Sequence, residues 1–238
     1  MTYPKVHFQI KETIVTLSSD LPEGIEIAKS EILKSRLLIE NYISKNPFFE
    51  VTLESFDLDL TAPPIVQKMI QAGNRFEIGP MSAVAGAIAE DAVLKMKESG
   101  AKFAFVDNGG DIAVFNSTEK PITVGVYTGG PHFQTLGFSI EPSDSVYGIC
   151  ASSGTVGHSI SFGISDAAVI FSKNVTLADA AATALGNALK EPGKENIEKA
   201  FSVLSEISEI DGAVLIEGEN IGFYGKIPQM IKTTGNMT

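Results

Sequence analysis

The chain has 238 residues, enough for one large domain, and its 44% hydrophobic content supplies a core. Charged residues make up 20% and no long polar tract occurs, which excludes a disordered chain. With 18 basic against 29 acidic residues the formal charge is −11, and no basic stripe offsets it, so no nucleic-acid partner is expected.

The N-terminus, Met1-Thr-Tyr-Pro-Lys-Val-His-Phe8, lacks a charged head followed by an apolar stretch, so the expectation is a cytoplasmic protein without a secretory signal. No apolar run approaches the ~18 residues of a membrane span, and no membrane association is expected. Val6–Ile10 and Thr13–Leu17 read as a strand pair. Ile25–Ile43 has apolar residues at helical spacing, and Asn46-Pro47 ends that helix. Phe48–Leu53 has strand character, and Ala62-Pro-Pro64 opens a short helix with proline in its first turn. A second long helix starts at Gly79-Pro-Met-Ser-Ala-Val-Ala-Gly86 and runs to about Gly100. Its small residues imply either close packing on a sheet or a ligand near the helix N-terminus.

Five strand-like runs follow: Phe103–Val106, Ile112–Phe115, Ile122–Tyr127, Leu136–Ile140 and Val146–Cys150. Short links between them predict antiparallel pairing. Ser159–Phe162 and Ala167–Phe171 add two more strands, and Thr176–Leu189 is a strong Ala/Leu helix. A helix near Ile197–Ile207, a strand pair at Ala213–Ile216 and Gly222–Tyr224, and a frayed tail from Met230 complete the chain. The fold class expected is α+β, antiparallel sheets covered by long helices in one domain over residues 1–238. Strands then helices occur twice, which suggests two similar halves. The lone Cys150 excludes an intrachain disulfide and reads as a buried, inert thiol.

Asp179 and Thr183 are four residues apart, hence on one face of their helix. A carboxylate and a hydroxyl stacked there offer the hard oxygens that Mg²⁺ and Ca²⁺ favour. The competing reading makes Thr176 the helix N-cap and Asp179 a first-turn acidic residue. Asp107-Asn-Gly-Gly-Asp111 between two strands is a hairpin signal that explains its Asn-Gly but leaves both carboxylates unexplained. The run Ser152-Ser-Gly-Thr-Val-Gly-His-Ser159 is small and hydroxylated enough for its backbone to approach a phosphate. His158 within it is a candidate for phosphate contact or proton transfer. His7 and His132 have no partner motif, so a zinc site is not expected.

Taken in order, Gly79-Pro-Met-Ser-Ala-Val-Ala-Gly86, Asn108-Gly-Gly-Asp111, Ser152-Ser-Gly154 with His158, and Ala178-Asp-Ala-Ala-Ala-Thr-Ala184 resemble the ApbE-like family of FAD:protein FMN transferases, over residues 79–189. The wording is most similar to a short, uncharacterised archaeal and bacterial branch. The resemblance implies a T-fold-like architecture and a Mg²⁺-dependent attack on the FAD pyrophosphate that moves FMN onto a protein Thr or Ser hydroxyl. It implies Asp179, Thr183 and the Ala83 carbonyl as metal ligands, and Asn108, Gly109, Gly110 and Asp111 along the flavin nucleotide. Ser153, Gly154 and His158 fall near the phosphates. The implied partners are a small-molecule nucleotide and an acceptor flavoprotein, and apolar sheet edges make a homodimer plausible. Two departures stand out: Ala85 occupies the place of a family lysine, and the His-x-x-Asp-Pro-x-Thr-Gly stretch is reduced to His158-Ser-Ile-Ser. A non-catalytic flavin or nucleotide binder, and an enzyme for another small anionic metabolite, are the alternative readings.

Overall fold

The computed structural model describes residues 3–11, 13–128, 132–154 and 162–233. In chain order the strands are β1 (Lys5–Ile10), β2 (Thr13–Ser19), β3 (Phe103–Asn108), β4 (Asp111–Asn116), β5 (Ile122–Gly125), β6 (Leu136–Ile140), β7 (Ser143–Ser152), β8 (Ala167–Ser172), β9 (Ile210–Glu217), β10 (Asn220–Gly225) and β11 (Gln229–Lys232). The helices are α1 (Gly24–Lys45), α2 (Phe48–Val51), α3 (Pro64–Asn74), α4 (Val84–Glu98), α5 (Val175–Ala188) and α6 (Lys194–Ala200).

Eight strands form one antiparallel sheet in the order β1-β2-β3-β4-β7-β8-β9-β10, and a second, three-stranded sheet runs β11-β6-β5. Period-two alternation places the large sheet between two cores. In β8, Ala168 and Ile170 face the helices, whereas Ala167, Val169 and Phe171 face the small sheet. Being covered on both faces explains why β8 reads as an unbroken apolar run. Each half of the large sheet is built as two strands, a helical segment, then a hairpin: β1-β2, α1 to α4, β3-β4 in the first and β7-β8, α5 and α6, β9-β10 in the second. That is the form taken by the two similar halves, and the α+β class holds.

The departures from expectation have local causes. Phe48–Leu53 is not a strand: Phe48–Val51 forms a helical turn that drives Phe49 into the core. There its ring meets Tyr42 and Phe56 edge-on, at 5.1 Å and 5.3 Å between centroids. The helix expected from Gly79 begins as a 3₁₀ turn, Pro80–Ala83, before α4 takes over. β5 and β6 do not continue the main meander, because β4 pairs with β7 and the intervening hairpin folds over the outer face. The tail is not frayed at its start, since β11 pairs with β6 from Gln229 to Lys232. The helix expected at Ile197–Ile207 divides into α6 and a 3₁₀ turn, Phe201–Leu204. Of the strand expected at Ser159–Phe162, residues 159–161 lie outside the described residues, and Phe162 is irregular. No helix of the described residues is long and apolar enough to cross a membrane.

Candidate functional site

The β3–β4 turn, the start of α4 and the first turns of α5 meet at one end of the large sheet. Asn108 pairs with Asp111 across the turn, leaving Gly109 and Gly110 as its two central residues, with φ of +70° and +107°. Both need the left-handed region, which glycine reaches without penalty. The expected Asn-Gly turn is thus shifted by one residue, and Asn108 ends the strand. Its side chain reaches across to α4, where Nδ2 donates to the Ala85 carbonyl at 3.1 Å and ties the hairpin to that helix.

The two carboxylates that bracket the turn divide their work. Asp107 closes it, its Oδ1 accepting the Gly110 N–H at 2.9 Å. Asp111 lies on the opposite face from Asp107: Ile112 and Val114 face the small sheet, so Asp111, like Ala113 and Phe115, faces the helices. Its register partner in β7 is Cys150, which faces the helices and donates its thiol to the Val175 carbonyl at 3.6 Å. Asp111 is 9% exposed, and its Oδ1 has no hydrogen-bond partner among the described residues. Burial first, then the charges of Asp179 and Asp107, push its carboxyl well above the usual carboxylate range. Burial likewise pushes the Cys150 thiol up, which keeps it protonated and inert.

Asp179 does not cap its own helix. The N-cap of α5 is Asn174, whose Oδ1 accepts the Leu177 N–H at 3.0 Å, and Thr176 instead donates to Glu90 at 2.7 Å. The Asp179 carboxylate turns to α4, where Oδ2 accepts the Gly86 N–H at 2.7 Å. That contact requires glycine. A Cβ on Gly86 would fall 2.7 Å from the Asp179 Cβ and 2.8 Å from the Val175 carbonyl oxygen. So the small residues of α4 serve contact with α5 as well as with the sheet. Burial raises the Asp179 carboxyl to about 7, although the N–H groups of Gly86 and Ala85 pull it back.

Glu90 is the functional residue that sequence reasoning missed. It is 8% exposed and accepts the Val175 N–H at 3.1 Å, besides the Thr176 hydroxyl, so it holds the first turn of α5 in place. Lys68 balances its charge at 3.0 Å and also reaches Asp91 at 2.6 Å. The available signal was a carboxylate four residues after Gly86, on the buried face of an Ala-rich helix.

These elements wall an open cleft of about 1370 Å³, lined by Asp179, Thr183, the Asn108–Asp111 hairpin, Ser152 and Ser153. Thr183 is half-buried one turn beyond Asp179, so the expected pair does share one face and one cleft. Ala83 is fully buried and does not line the cleft, although its neighbours Ser82, Val84 and Ala85 do. Gly154 is fixed by its N–H to the Ser165 carbonyl at 2.8 Å, and Asn187 receives the Phe162 N–H at 2.8 Å. His158 lies outside the described residues.

Charge in the cleft favours a cation. Among the described residues, five carboxylates (Glu40, Glu50, Asp107, Asp111, Asp179) line it against two basic side chains, Lys11 and Arg36. Both of those already engage Glu40 at 3.0 Å. No three His, Cys, Asp or Glu side chains among the described residues form a ready metal cage. Mg²⁺ rarely uses one: it takes one or two carboxylates and completes its shell with water and ligand phosphates. The unpartnered Asp111 oxygen beside the buried Asp179 therefore fits a divalent cation.

A family model described as "AbpE bacteria" matches residues 2–209. The chain belongs to the ApbE-like family. Among the relatives of this ApbE-like protein, a UPF0280 protein of Methanococcoides burtonii is 52% identical over 228 residues, covering 96% of this chain and 95% of its own. A UPF0280 protein of Methanosarcina acetivorans is 51% identical, covering 96% and 89%. Solved structures share the fold at low identity. The apo flavinyl transferase ApbE of Pseudomonas stutzeri matches with a TM-score of 0.60 at 13% identity, covering 98% of this chain and 95% of its own. The ApbE protein of Thermotoga maritima also gives 0.60, at 12% identity, covering 94% and 97%.

Proposed function

We propose that this ApbE-like protein uses Mg²⁺ to act on FAD or a related pyrophosphate nucleotide, moving FMN onto a threonine or serine hydroxyl of a partner flavoprotein and releasing AMP. The observation that carries the reading is the buried Asp179 carboxylate. It is held by the Gly86 N–H and shares one cleft with Thr183 and the Asn108–Asp111 hairpin.

In this reading Asp179 and Thr183 hold the ion, while the fully buried Ala83, which the resemblance implied as a third ligand, is set back from the cleft. When bound, the ion neutralises charge that builds on the pyrophosphate oxygens. Gly109 offers a bare backbone, with nothing within 4 Å of where a Cβ would sit, so a nucleotide can lie flat against the turn. Asn108, Gly110 and Asp111 flank it, while Ser153 and Gly154 stand where the phosphates enter. Exposed Ile14 and Tyr127 supply an apolar wall for a planar ring. The cleft exceeds the roughly 300–1,000 Å³ of ordinary ligand sites, which suits a dinucleotide. In the reaction the acceptor oxygen bonds to the FMN phosphorus, the P–O–P anhydride breaks, AMP departs and the hydroxyl proton is released. The nucleophile comes from the partner, so no nucleophilic residue of this chain is needed.

The test is AMP release from FAD, with and without Mg²⁺, using cytosolic extract as the acceptor source. Mg²⁺-dependent release that is lost in Asp179→Asn supports the reading. Thermal stabilisation by FAD without AMP points to a non-catalytic binder, and neither signal moves the search to other anionic metabolites.

A further inference from the structure

Asp111 was expected to line the nucleotide, yet its surroundings ask for a cation. The strand register turns it to the helix side. The Cys150 side chain and the Ala151 N–H favour its charge, but less than burial and the neighbouring carboxylates oppose it, and the Asn108 amide is spent on Ala85. Its Oδ1 is left buried without a partner in the cleft that Asp179 also lines. A buried carboxylate oxygen without a partner is costly, and two carboxylates buried in one place are costlier still. The charges that act on Asp111 are those of Asp179 and Asp107, both of its own sign. A ribose hydroxyl would satisfy one oxygen but could not offset the charge of the two carboxylates when both ionise. A divalent cation compensates both.

We propose that Asp111 is a ligand of the divalent cation, shared with Asp179 between the β3–β4 turn and α5. The proposal rests on the reading that this cleft takes a metal, and it extends the ligand set beyond Asp179 and Thr183. Hard oxygens from two carboxylates suit Mg²⁺ or Mn²⁺ better than a softer metal.

The experiment is Mn²⁺ titration of the full chain, followed by electron paramagnetic resonance of free Mn²⁺ and by thermal shift, without and with FAD. Wild type, Asp111→Asn and Asp179→Asn are compared. The expected result is that Asp111→Asn weakens Mn²⁺ binding about ten-fold or more while its metal-free melting midpoint does not fall, because a buried unpaired charge has been removed. Should Asp111→Asn fold poorly, Asp111→Ser removes the same charge and is read in the same way. Wild-type Mn²⁺ affinity in the Asp111 variant, with loss only in Asp179→Asn, overturns this proposal and leaves the metal reading standing. Unchanged Mn²⁺ binding with weakened metal-free FAD binding returns Asp111 to the nucleotide. No Mn²⁺ binding by wild type in either condition overturns both.

Discussion

Gly86→Ala sets two effects against each other. In the helix α4, replacing glycine by alanine gains about 1 kcal/mol of propensity. Against that, the new methyl would stand 2.7 Å from the Asp179 Cβ, 2.8 Å from the Val175 carbonyl oxygen and 3.2 Å from the Asp179 Oδ2. Two of those atoms are a backbone oxygen and a Cβ, which cannot swing aside as the end of a flexible chain can. α4 and α5 must separate by several tenths of an ångström, at a site where both are packed on the sheet. Overpacking of this kind costs about 1–3 kcal/mol, and the Asp179–Gly86 hydrogen bond lengthens with it. The net expectation is a loss of about 1–2 kcal/mol, or a fall of about 2–8 °C in melting temperature for a domain of this size. Urea unfolding at constant slope measures it. A Gly86→Ala protein as stable as wild type, with unchanged Mn²⁺ affinity, would refute the tight α4–α5 contact on which the site is built.

Glu90→Ala removes the acceptor of the Val175 N–H and the Thr176 hydroxyl and one partner of Lys68, so a loss of about 3 kcal/mol is expected in urea; Glu90→Gln should cost less. Asn108→Ala breaks the 3.1 Å bond to Ala85, and about 1 kcal/mol should go with it; no change in the urea midpoint would contradict the tie between hairpin and helix. In metal-free protein, Asp179 at about 7 and the raised Asp111 hold protons that the unfolded chain gives up above ~4. The folded state therefore binds more protons between those values, and stability falls as pH rises through that window. Melting in EDTA from pH 5 to 8, wild type against Asp179→Asn, reads this, and an identical slope in the two proteins contradicts it.

Much of the fold was legible because its signals are local. The alternation in β3 and β4, the helical spacing of α1 and the proline at the start of α3 all act over a few residues. Phe48–Val51 was misread because its apolar run fits a strand as well as a helical turn. Only the distant rings of Tyr42 and Phe56 decide between them. β11 was missed for a similar reason: its pairing with β6 lies far away in the chain. At the site, the Asp179–Thr183 spacing was readable, as was the glycine pair. The Asp179–Gly86 bond and the Glu90 clamp were not, because each joins residues 85 or more apart. Spacing within one helix shows which residues share a face, but not what that face meets.

The most direct test is a crystal of the protein with Mn²⁺ and FAD, with Mn located by its anomalous scattering. The account predicts a Mn peak in contact with the Asp179 carboxylate and with pyrophosphate oxygens, and the nucleotide lying against Gly109 and Gly110. FAD bound elsewhere, or an ordered pyrophosphate in the cleft with no Mn beside Asp179, would contradict it.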